Sequence, residues 1–590
     1  STMKHLHKTL IGSALTLALA GCNDFLDLSS YDEVSSGTAF STTTLAESVV
    51  VGAYSNILYD YIDGSRSRLN WDAFSSVMDP TDGHIYLNYS YLTGTIQPND
   101  ASFLTYWKRF YEGINRANDV INNIASCPTM SDALKRQRIA ECKFLRAFHY
   151  YRLNCLWRGV PVYLENLAPG EYTRARSSEE QVWDIIIDDL DDCIACEELP
   201  GKYKSSDSGY GRVTKGAAYT LRGKVYLWLK KWEEAEKDFL EVGKLGYELY
   251  QGNYADLFKQ ANEKCDEMIF SAQMEEVQGF GNVFSYTYGN MVTKGNGTSS
   301  FFMNARFVDS YEWADGRPFD WDDVIDGYDA MQPKARSVYF LRDNMTSAES
   351  STMQTYGADL SEYLETGNEA RIRAAYTGRD PRLAATVITP YSTYKGGASG
   401  AELTYTLRWP FRSSAAPSLD LETRSNSYML YSIRKFVTSG NEYANIQYNP
   451  VDVPIFRYAD VLLCLAEAVN EQGRYGEAAG YVNQVRKRAG VAELNTPGNP
   501  HVAVTSADEL RPRIRNEKKW ELACEEQLYC DELRWGTWQT DKFADGNGLL
   551  ECWGAPVYEY KWGGSAYLKW PIPSSEREKN PNLVQNDNWH

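Results

Sequence analysis

Histidine is scarce in this chain of 590 residues. Two of the six histidines lie near the start and one is the final residue: His5, His7, His84, His149, His501 and His590. Because histidine is the usual general base near neutral pH and a common zinc ligand, few candidates exist for either role. The chain also lacks the HExxH, GxSxG, GxGxxG and P-loop motifs. We therefore predict no catalytic residue, no metal site and no cofactor.

Basic residues are in deficit as well. Lys and Arg number 60 against 79 Asp and Glu, which gives a formal net charge of −19. This balance disfavours a nucleic-acid partner, whose phosphates need a basic surface, and a polybasic attachment to anionic lipid. After Cys22, no apolar run approaches the roughly 18 residues that a membrane-spanning helix needs.

The 11 cysteines do not indicate a metal site. Cys193 and Cys196 form a CxxC pair without the second CxxC or the histidine pair that a zinc site needs. A chain of this length can bury a large core without covalent crosslinks, so buried free thiols are the expectation. Redox or metal chemistry at the CxxC pair is the alternative.

The beginning of the chain is typical of a secretory signal. Lys4 and Lys8 precede a mostly apolar run from Leu10 to Ala20, which is the charged-then-apolar order of a signal peptide. The run ends in Leu-Ala-Gly-Cys, which resembles a bacterial lipobox. We expect residues 1–21 to be a lipoprotein signal peptide, Cys22 to be acylated, and residues 22–43 to form a polar tether, so that the lipid anchors the protein to a membrane. An ordinary signal with a chance cysteine, or a short buried helix, is the alternative.

Apolar residues recur with a helical period on both sides of a long central region. Ser131–Trp157 predicts one long helix, and two helix-turn-helix units follow at Thr214–Val242 and Leu462–Val485. The turns of both units read basic, aromatic, any residue, Glu, Ala, which resembles a tetratricopeptide repeat. Two unrelated hairpins are the alternative. We predict a mainly α fold in which residues 44–250 and 451–590 form a TPR-like stack of helical pairs with a C-terminal tail.

The region between the two repeat units differs in composition. Gly252–Pro450 is rich in Gly, Asn, Ser and Tyr, and it contains turn signals such as Gly295-Asn296-Gly297. A structureless loop of this length is implausible in a compact domain. We predict that residues 251–450 form an inserted, loop-rich subdomain with short strands.

Aromatic residues are abundant: the chain has 42 Tyr and 16 Trp, many of them in the segments 61–98 and 252–450. A pyranose ring stacks its C–H face on an aromatic ring, and its hydroxyl groups need amide or carboxylate partners. The alternative is that these rings only bury apolar area in segments with little Leu and Ile. Our candidate ligand-binding residues are Tyr86, Asn88, Tyr89, Tyr91, Tyr286, Tyr288, Asn290 and Trp313.

Several blocks in the chain resemble the SusD/RagB family. They read AECKFLRAFHY, FRYADVLLCLAEA, IRNE and LRWG, followed by a closing segment around PIP and NPN, and they occur in the family's order at Ala140–Tyr150, Phe456–Ala468, Ile514–Glu517, Leu533–Gly536 and Tyr567–Asn586. The resemblance implies a TPR-like helical stack with an inserted mixed α/β ligand-binding subdomain.

The resemblance also implies a function. Members of this family are outer-membrane lipoproteins of the cell surface that capture an oligosaccharide or polysaccharide and deliver it to a SusC-like TonB-dependent transporter. The acidic composition favours a neutral glycan. Three alternatives are a surface glycoside hydrolase, a peptide-binding RagB-like protein, and a repeat scaffold that binds only protein.

Replacing Cys22 tests the anchor. Cys22→Ala should abolish incorporation of a labelled fatty acid and release the protein from the membrane fraction, because no other lipid attachment is expected. Cys196→Ala is the matched control and should retain the label. Labelled Cys22→Ala protein would contradict the prediction.

Overall fold

Long helices carry most of this computed structural model, which describes residues 38–64, 69–81, 83 and 87–589. Residues 1–37, with the predicted signal peptide and Cys22, lie outside the described residues, as does Tyr86. Within the described part, nine helices have 13 or more residues: α1 Thr43–Ile62, α2 Ala101–Asn123, α3 Asp132–Trp157, α4 Glu179–Ala195, α5 Lys215–Trp228, α6 Trp232–Lys244, α7 Tyr458–Glu471, α8 Tyr475–Ala489 and α9 Ala507–Leu522.

Side-chain caps set where several of these helices begin. The hydroxyl groups of Ser131, Ser178, Thr214 and Ser506 each accept a hydrogen bond from a backbone N–H in the first turn of α3, α4, α5 and α9. These bonds satisfy donors that have no partner within the helix. Gly490, with a φ of 81°, ends α8 in the left-handed region that favours glycine.

The helices form one continuous stack. Each of the helices α1 to α7 packs on the next helix in chain order, and α7 packs on α9 as well as on α8. The contact between α6 and α7 is the notable one, because α6 ends at Lys244 and α7 begins only at Tyr458. The two repeat units recognised in the sequence are therefore neighbours in space. The prediction of a mainly α helical stack is confirmed.

His149 is buried in the helical core. It lies on α3 opposite Gly113 of α2, where a Cβ atom would come within 2.3 Å of the imidazole. Burial, reinforced by the positive charges of Arg152 and Arg116, lowers the pKa of His149 to about 3. The ring is therefore neutral and packs as a core side chain.

The strands of the described residues are short: β1 Met78–Pro80, β2 Met268–Ala272, β3 Phe301–Met303, β4 Val387–Ile388, β5 Thr393–Gly396, β6 Leu403–Thr406, β7 Ser432–Ile433, β8 Val453–Arg457, β9 Gly548–Leu550 and β10 Pro556–Glu559. They form antiparallel pairs: β1 with β3, β2 with β8, β4 with β7, β5 with β6, and β9 with β10.

Short helices lie before β1, between the strands and after β10. They are Trp71–Phe74, Leu87–Leu92, Tyr254–Leu257, Phe284–Tyr288, Ala305–Ser310, Pro333–Arg336, Ser347–Tyr356, Asn368–Arg373, Pro381–Thr386, Leu528–Trp535, Trp538–Lys542 and Ser574–Lys579.

The inserted region returns to the point where it left the stack. β2 follows α6 and pairs with β8, which runs directly into α7. One apolar core extends through the described residues from Phe40 to Leu583, across the stack and the insertion alike. The subdomain limits at residues 251 and 450 therefore stay a prediction.

A network of buried charges joins the insertion to the stack around α9. The carboxylate of Glu521 in α9 forms ion pairs with three arginines: Arg457 at 2.7 Å, Arg382 of the insertion at 3.0 Å, and Arg488 of α8. Burial alone would raise the pKa of Glu521, but these guanidinium groups hold it below its usual range. Glu267, which directly precedes β2, also binds Arg457 and Arg488, at 2.7 and 2.6 Å.

A second acid of α9 extends the network. Glu517 binds Arg486 of α8 at 2.9 Å and Arg382 at 2.6 Å. Arg486 also binds Glu312 of the insertion at 2.9 Å. Since Arg382 and Arg486 are almost fully buried, removing one partner would leave a charge in the interior without compensation.

We expect Glu521→Gln to lower the free energy of unfolding by about 3–5 kcal/mol, because the arginines around it lose a shared carboxylate. Guanidinium chloride unfolding followed by far-UV circular dichroism measures this loss. Glu241→Gln is the matched control, since Glu241 pairs only with the exposed Lys244 on the outside of α6. Equal unfolding midpoints for the two variants would contradict the proposed importance of the network.

Candidate functional site

Pairing of β1 with β3 brings the two aromatic-rich segments together. Pro80 lies opposite Phe301 and Met78 opposite Met303, and the Thr81 N–H donates to the Ser300 carbonyl at 2.9 Å. The segment before α2 and the middle of the insertion therefore form one surface. We call the surface made by Thr81 and residues 87–93, 286–300 and 556–560 the junction face.

Asp79 ties this pair of strands to the C-terminal part of the chain. Its carboxylate binds the Lys542 ammonium at 3.2 Å and accepts from the Tyr560 hydroxyl at 2.5 Å and from Asn304 Nδ2 at 2.9 Å. Burial raises the pKa of Asp79. Asp79 lies on β1, and its partners come from the insertion and from the C-terminal part of the chain. These bonds therefore fix the position of the junction face.

Beneath the face lies a second polar cluster, centred on Glu526. Its carboxylate accepts from the Trp71 N–H at 2.9 Å and from the Tyr288 hydroxyl at 3.1 Å, and Asn70 Nδ2 donates to the same hydroxyl at 3.0 Å. The Glu526 N–H in turn donates to Asp72 at 3.1 Å. Tyr288 is therefore held as a buried link between the insertion and the segment around Asn70.

Four of the predicted ligand-binding residues are interior side chains: Asn88, Tyr91, Tyr288 and Asn290 are each at most 1% exposed. Asn88 Nδ2 donates to the Asn70 carbonyl at 2.9 Å, and the Tyr91 hydroxyl donates to the Tyr567 carbonyl at 2.8 Å. Asn290 Oδ1 accepts from the Val292 N–H at 3.1 Å. Protein atoms cover these groups in this structure. A role for them in ligand binding therefore stays a prediction.

Tyr89 and Tyr286 are half-buried residues of the junction face. The Tyr89 ring meets the ring of Tyr558 edge to face, with 4.9 Å between centroids. Tyr286 lies beside the turn at Thr298, whose N–H donates to the Tyr286 carbonyl at 2.8 Å. Both side chains keep surface that a ligand can contact.

Trp313 lies elsewhere. Its ring packs on Phe319 at 5.7 Å between centroids, and the Arg379 guanidinium lies 5.7 Å from the ring centroid. The neighbouring Ala314 carbonyl accepts from the Ala492 N–H at 2.9 Å, just after α8. The half-buried Trp313 therefore lies near the end of α8 and not on the junction face.

Sequence reasoning missed two tyrosines near the face. Tyr558 is half-buried against Tyr89, and Tyr428 is 36% exposed on a segment whose Tyr431 carbonyl accepts from the Met303 N–H of β3. Alternation of polar and apolar residues in Val557-Tyr558-Glu559 was the available signal for Tyr558. Tyr428 gave no signal, because it approaches β3 only through tertiary pairing.

Metal-binding chemistry gains little support in the described residues. The ten cysteines there are free thiols, including Cys193 and Cys196. Asp320, Asp322 and Asp329 place carboxylate oxygens within 4.8 Å of one another, but all three are exposed. Exposed acids in a turn are ordinary on a chain with a net charge of −19.

Comparisons with known proteins identify the family. A model of the SusD family matches residues 266–589. This SusD-family model covers more than half of the chain. The chain belongs to the SusD family. A second model, described as starch-binding proteins associating with the outer membrane, matches residues 24–227. The resemblance recognised in the sequence is therefore confirmed.

Three similar proteins span most of this SusD-family chain. The SusD-like protein P25 of Formosa agariphila is 24% identical and covers 97% of both chains. The starch-binding protein SusD of Bacteroides thetaiotaomicron is 24% identical over 78% of this chain and 74% of its own. The crystal structure of a SusD-like protein from Bacteroides fragilis superposes with a TM-score of 0.71 at 22% identity, covering 95% of this chain and 99% of that one.

The described helices include none that is long and apolar enough to cross a membrane.

The buried Asp72 predicts a pH-dependent stability. Burial and the neighbouring Glu526 raise its pKa from 3.8 to about 8, so between these values the folded state holds a proton that the unfolded chain releases. The contribution of Asp72 to stability is therefore full below about pH 4 and is lost as the pH rises to about 8.

Melting temperatures of Asp72→Asn and of the wild type at about pH 5 and about pH 8 test this. The melting temperature of the variant, relative to that of the wild type, should rise with pH because the amide does not ionise. Asp508→Asn, at an acid whose side chain is 90% exposed, should show a constant difference. A constant difference for Asp72→Asn would contradict the assignment.

Proposed function

We propose that this SusD-family protein captures a neutral oligosaccharide or polysaccharide at the junction face and delivers it to a SusC-like TonB-dependent transporter. In this proposal the protein is a cell-surface lipoprotein, held on the outer membrane by the lipid on Cys22. Family membership supports the proposal, as does the name of the starch-binding relative. The match to proteins associating with the outer membrane supports the location.

The observation that carries the proposal is the convergence of half-buried tyrosines at the junction face. The half-buried rings of Tyr89 and Tyr558 come from distant parts of the chain and meet with 4.9 Å between their centroids. Tyr286, also half-buried, lies on the segment that joins β1 through the Thr81–Ser300 hydrogen bond. The hydroxyl group of the half-buried Thr298 lies on the Tyr286 segment, 2.7 Å from the hydroxyl group of the buried Ser300. Aromatic rings bordered by hydroxyl groups suit a sugar, which has apolar ring faces and polar edges.

Binding without catalysis fits the two buried acids beneath the face, Asp79 and Glu526. Glycoside hydrolysis needs two carboxyl groups on either side of the scissile bond at a defined separation. Asp79 is engaged by Lys542 and Tyr560, and Glu526 by Trp71 and Tyr288. These carboxylates hold the protein together, so we propose that no bond of the glycan is broken.

The excess of acids over bases supports a neutral ligand. A formal charge of −19 repels polyanionic glycans at long range, although salt screens this repulsion beyond about 10 Å. The transporter partnership rests on the family, and its test is co-purification of the protein with an outer-membrane barrel.

Calorimetric titration of the protein without its lipid, against starch, laminarin and acidic polysaccharides, tests the function. A neutral glycan should give a saturable heat without new reducing ends. Tyr286→Ala and Tyr89→Ala should each weaken binding about three- to tenfold, because each removes a stacking surface. Tyr481→Ala is the matched control, because Tyr481 is a half-buried tyrosine of α8, outside the junction face.

Other outcomes point elsewhere. Release of reducing ends would indicate a hydrolase. Heat from peptides but from no sugar would indicate a peptide-binding protein. Unchanged affinity in both tyrosine variants would move the site away from the junction face.

A further inference from the structure

An aromatic recess lies between α2, the connection from α3 to α4, and the C-terminal tail. It shares no residue with the junction face, and its accessible cavity volume is about 50 Å³. The walls are made mainly by aromatic rings from α2 and the connection and by polar groups from the tail, in particular Trp107, Tyr111, Asn115, Tyr163, Tyr172 and Glu576.

Hydrogen bonds hold the walls in place. The Tyr111 hydroxyl donates to the Pro161 carbonyl at 2.6 Å, and the Tyr163 hydroxyl accepts from the Arg174 N–H at 3.1 Å. Asn580 Nδ2 donates to the Arg174 carbonyl at 2.9 Å and so fastens the tail to the connection. The recess is therefore preformed, which lowers the entropic cost of binding a ligand.

Two acceptor atoms in the recess have no hydrogen-bond partner among the described residues. Glu576 is only 6% exposed, yet its Oε1 accepts no hydrogen bond, and the same is true of Asn115 Oδ1. Burial raises the pKa of Glu576, while Lys579 and Lys108 oppose the increase. A buried acceptor without a partner costs about 1–3 kcal/mol, which a ligand with suitable donors would recover.

The surroundings decide which ligand fits. The two acceptor atoms without a partner need hydrogen-bond donors, which argues against an anionic ligand. Lys579 and Lys108 offset the negative charge of Glu576, which argues against a cation. Hydroxyl groups meet both conditions, and the half-buried ring of Tyr172 suits the apolar face of a sugar ring.

We propose that the aromatic recess is a separate binding site for one neutral sugar residue, with Glu576 and Asn115 accepting its hydroxyl protons. It stands independently of glycan capture at the junction face. Glu576 is then retained for binding at a cost in stability.

Saturation-transfer NMR and calorimetry with methyl glycosides of glucose, galactose, mannose and xylose test the proposal. At least one should bind with a Kd in the millimolar range or tighter. Glu576→Leu should weaken this binding at least about tenfold, because it removes both carboxylate oxygens at similar volume. The same variant should melt no lower than the wild type, since it removes a buried acid without a partner.

Glu578→Leu is the matched control, because Glu578 lies on the same short helix but is exposed. It should leave sugar binding unchanged. Tyr172→Ala, at a half-buried wall residue, is the second test and should also weaken binding. Glu576→Leu should leave polysaccharide binding at the junction face unchanged. The experiment therefore tests the two proposed sites separately.

Three results would overturn the proposal. One is the absence of binding by all four glycosides at about 50 mM, a concentration that detects even Kd values above 10 mM. Another is sugar binding that neither Glu576→Leu nor Tyr172→Ala weakens. The third is tighter binding of tetramethylammonium than of any glycoside, which would make the recess a cation site.

Discussion

The charge network around α9 is the interaction on which the arrangement of this protein depends. Glu517 and Glu521 bind arginines from α8, from the end of β8 and from the insertion, all of them with almost fully buried side chains. Each charge in the interior requires its partner, because an uncompensated buried ion costs several kcal/mol. Arg382 belongs to the inserted region, so its bonds to α9 hold the insertion in one orientation on the stack.

This orientation places the junction face. Strand β3 lies in the insertion and β1 lies between α1 and α2, so their pairing is possible only when the insertion lies against the first helices. Asp79, Lys542 and Glu526 then fill the layer beneath the face with polar contacts. Tyrosines at the surface are supported by this layer, whereas tyrosines within it, such as Tyr288, serve the fold. A ring beneath the face thus stabilises the protein, and the proposed ligand contacts are the rings at its surface.

The helical stack was predictable because its signals are local. Periodic apolar residues and serine or threonine caps specify each helix within about 25 residues, and the similar turns at Lys231 and Arg474 revealed two repeat units. That α6 and α7 are neighbours could only be inferred from the repeat logic. The candidate site was less predictable: the two aromatic segments do meet, but half of the chosen residues lie in the core.

Tyr89 and Tyr91 show that the sequence alone does not predict which side chains are exposed. Both belong to the short helix Leu87–Leu92, yet Tyr89 keeps exposed surface while Tyr91 is fully buried. The rings that cover Tyr91, including Tyr567 and Trp570, come from the C-terminal tail. The sequence by itself determined the family and the mainly α class, because these depend on composition and local pattern. Only the tertiary structure decided which rings face solvent, since exposure depends on residues that are distant in the chain.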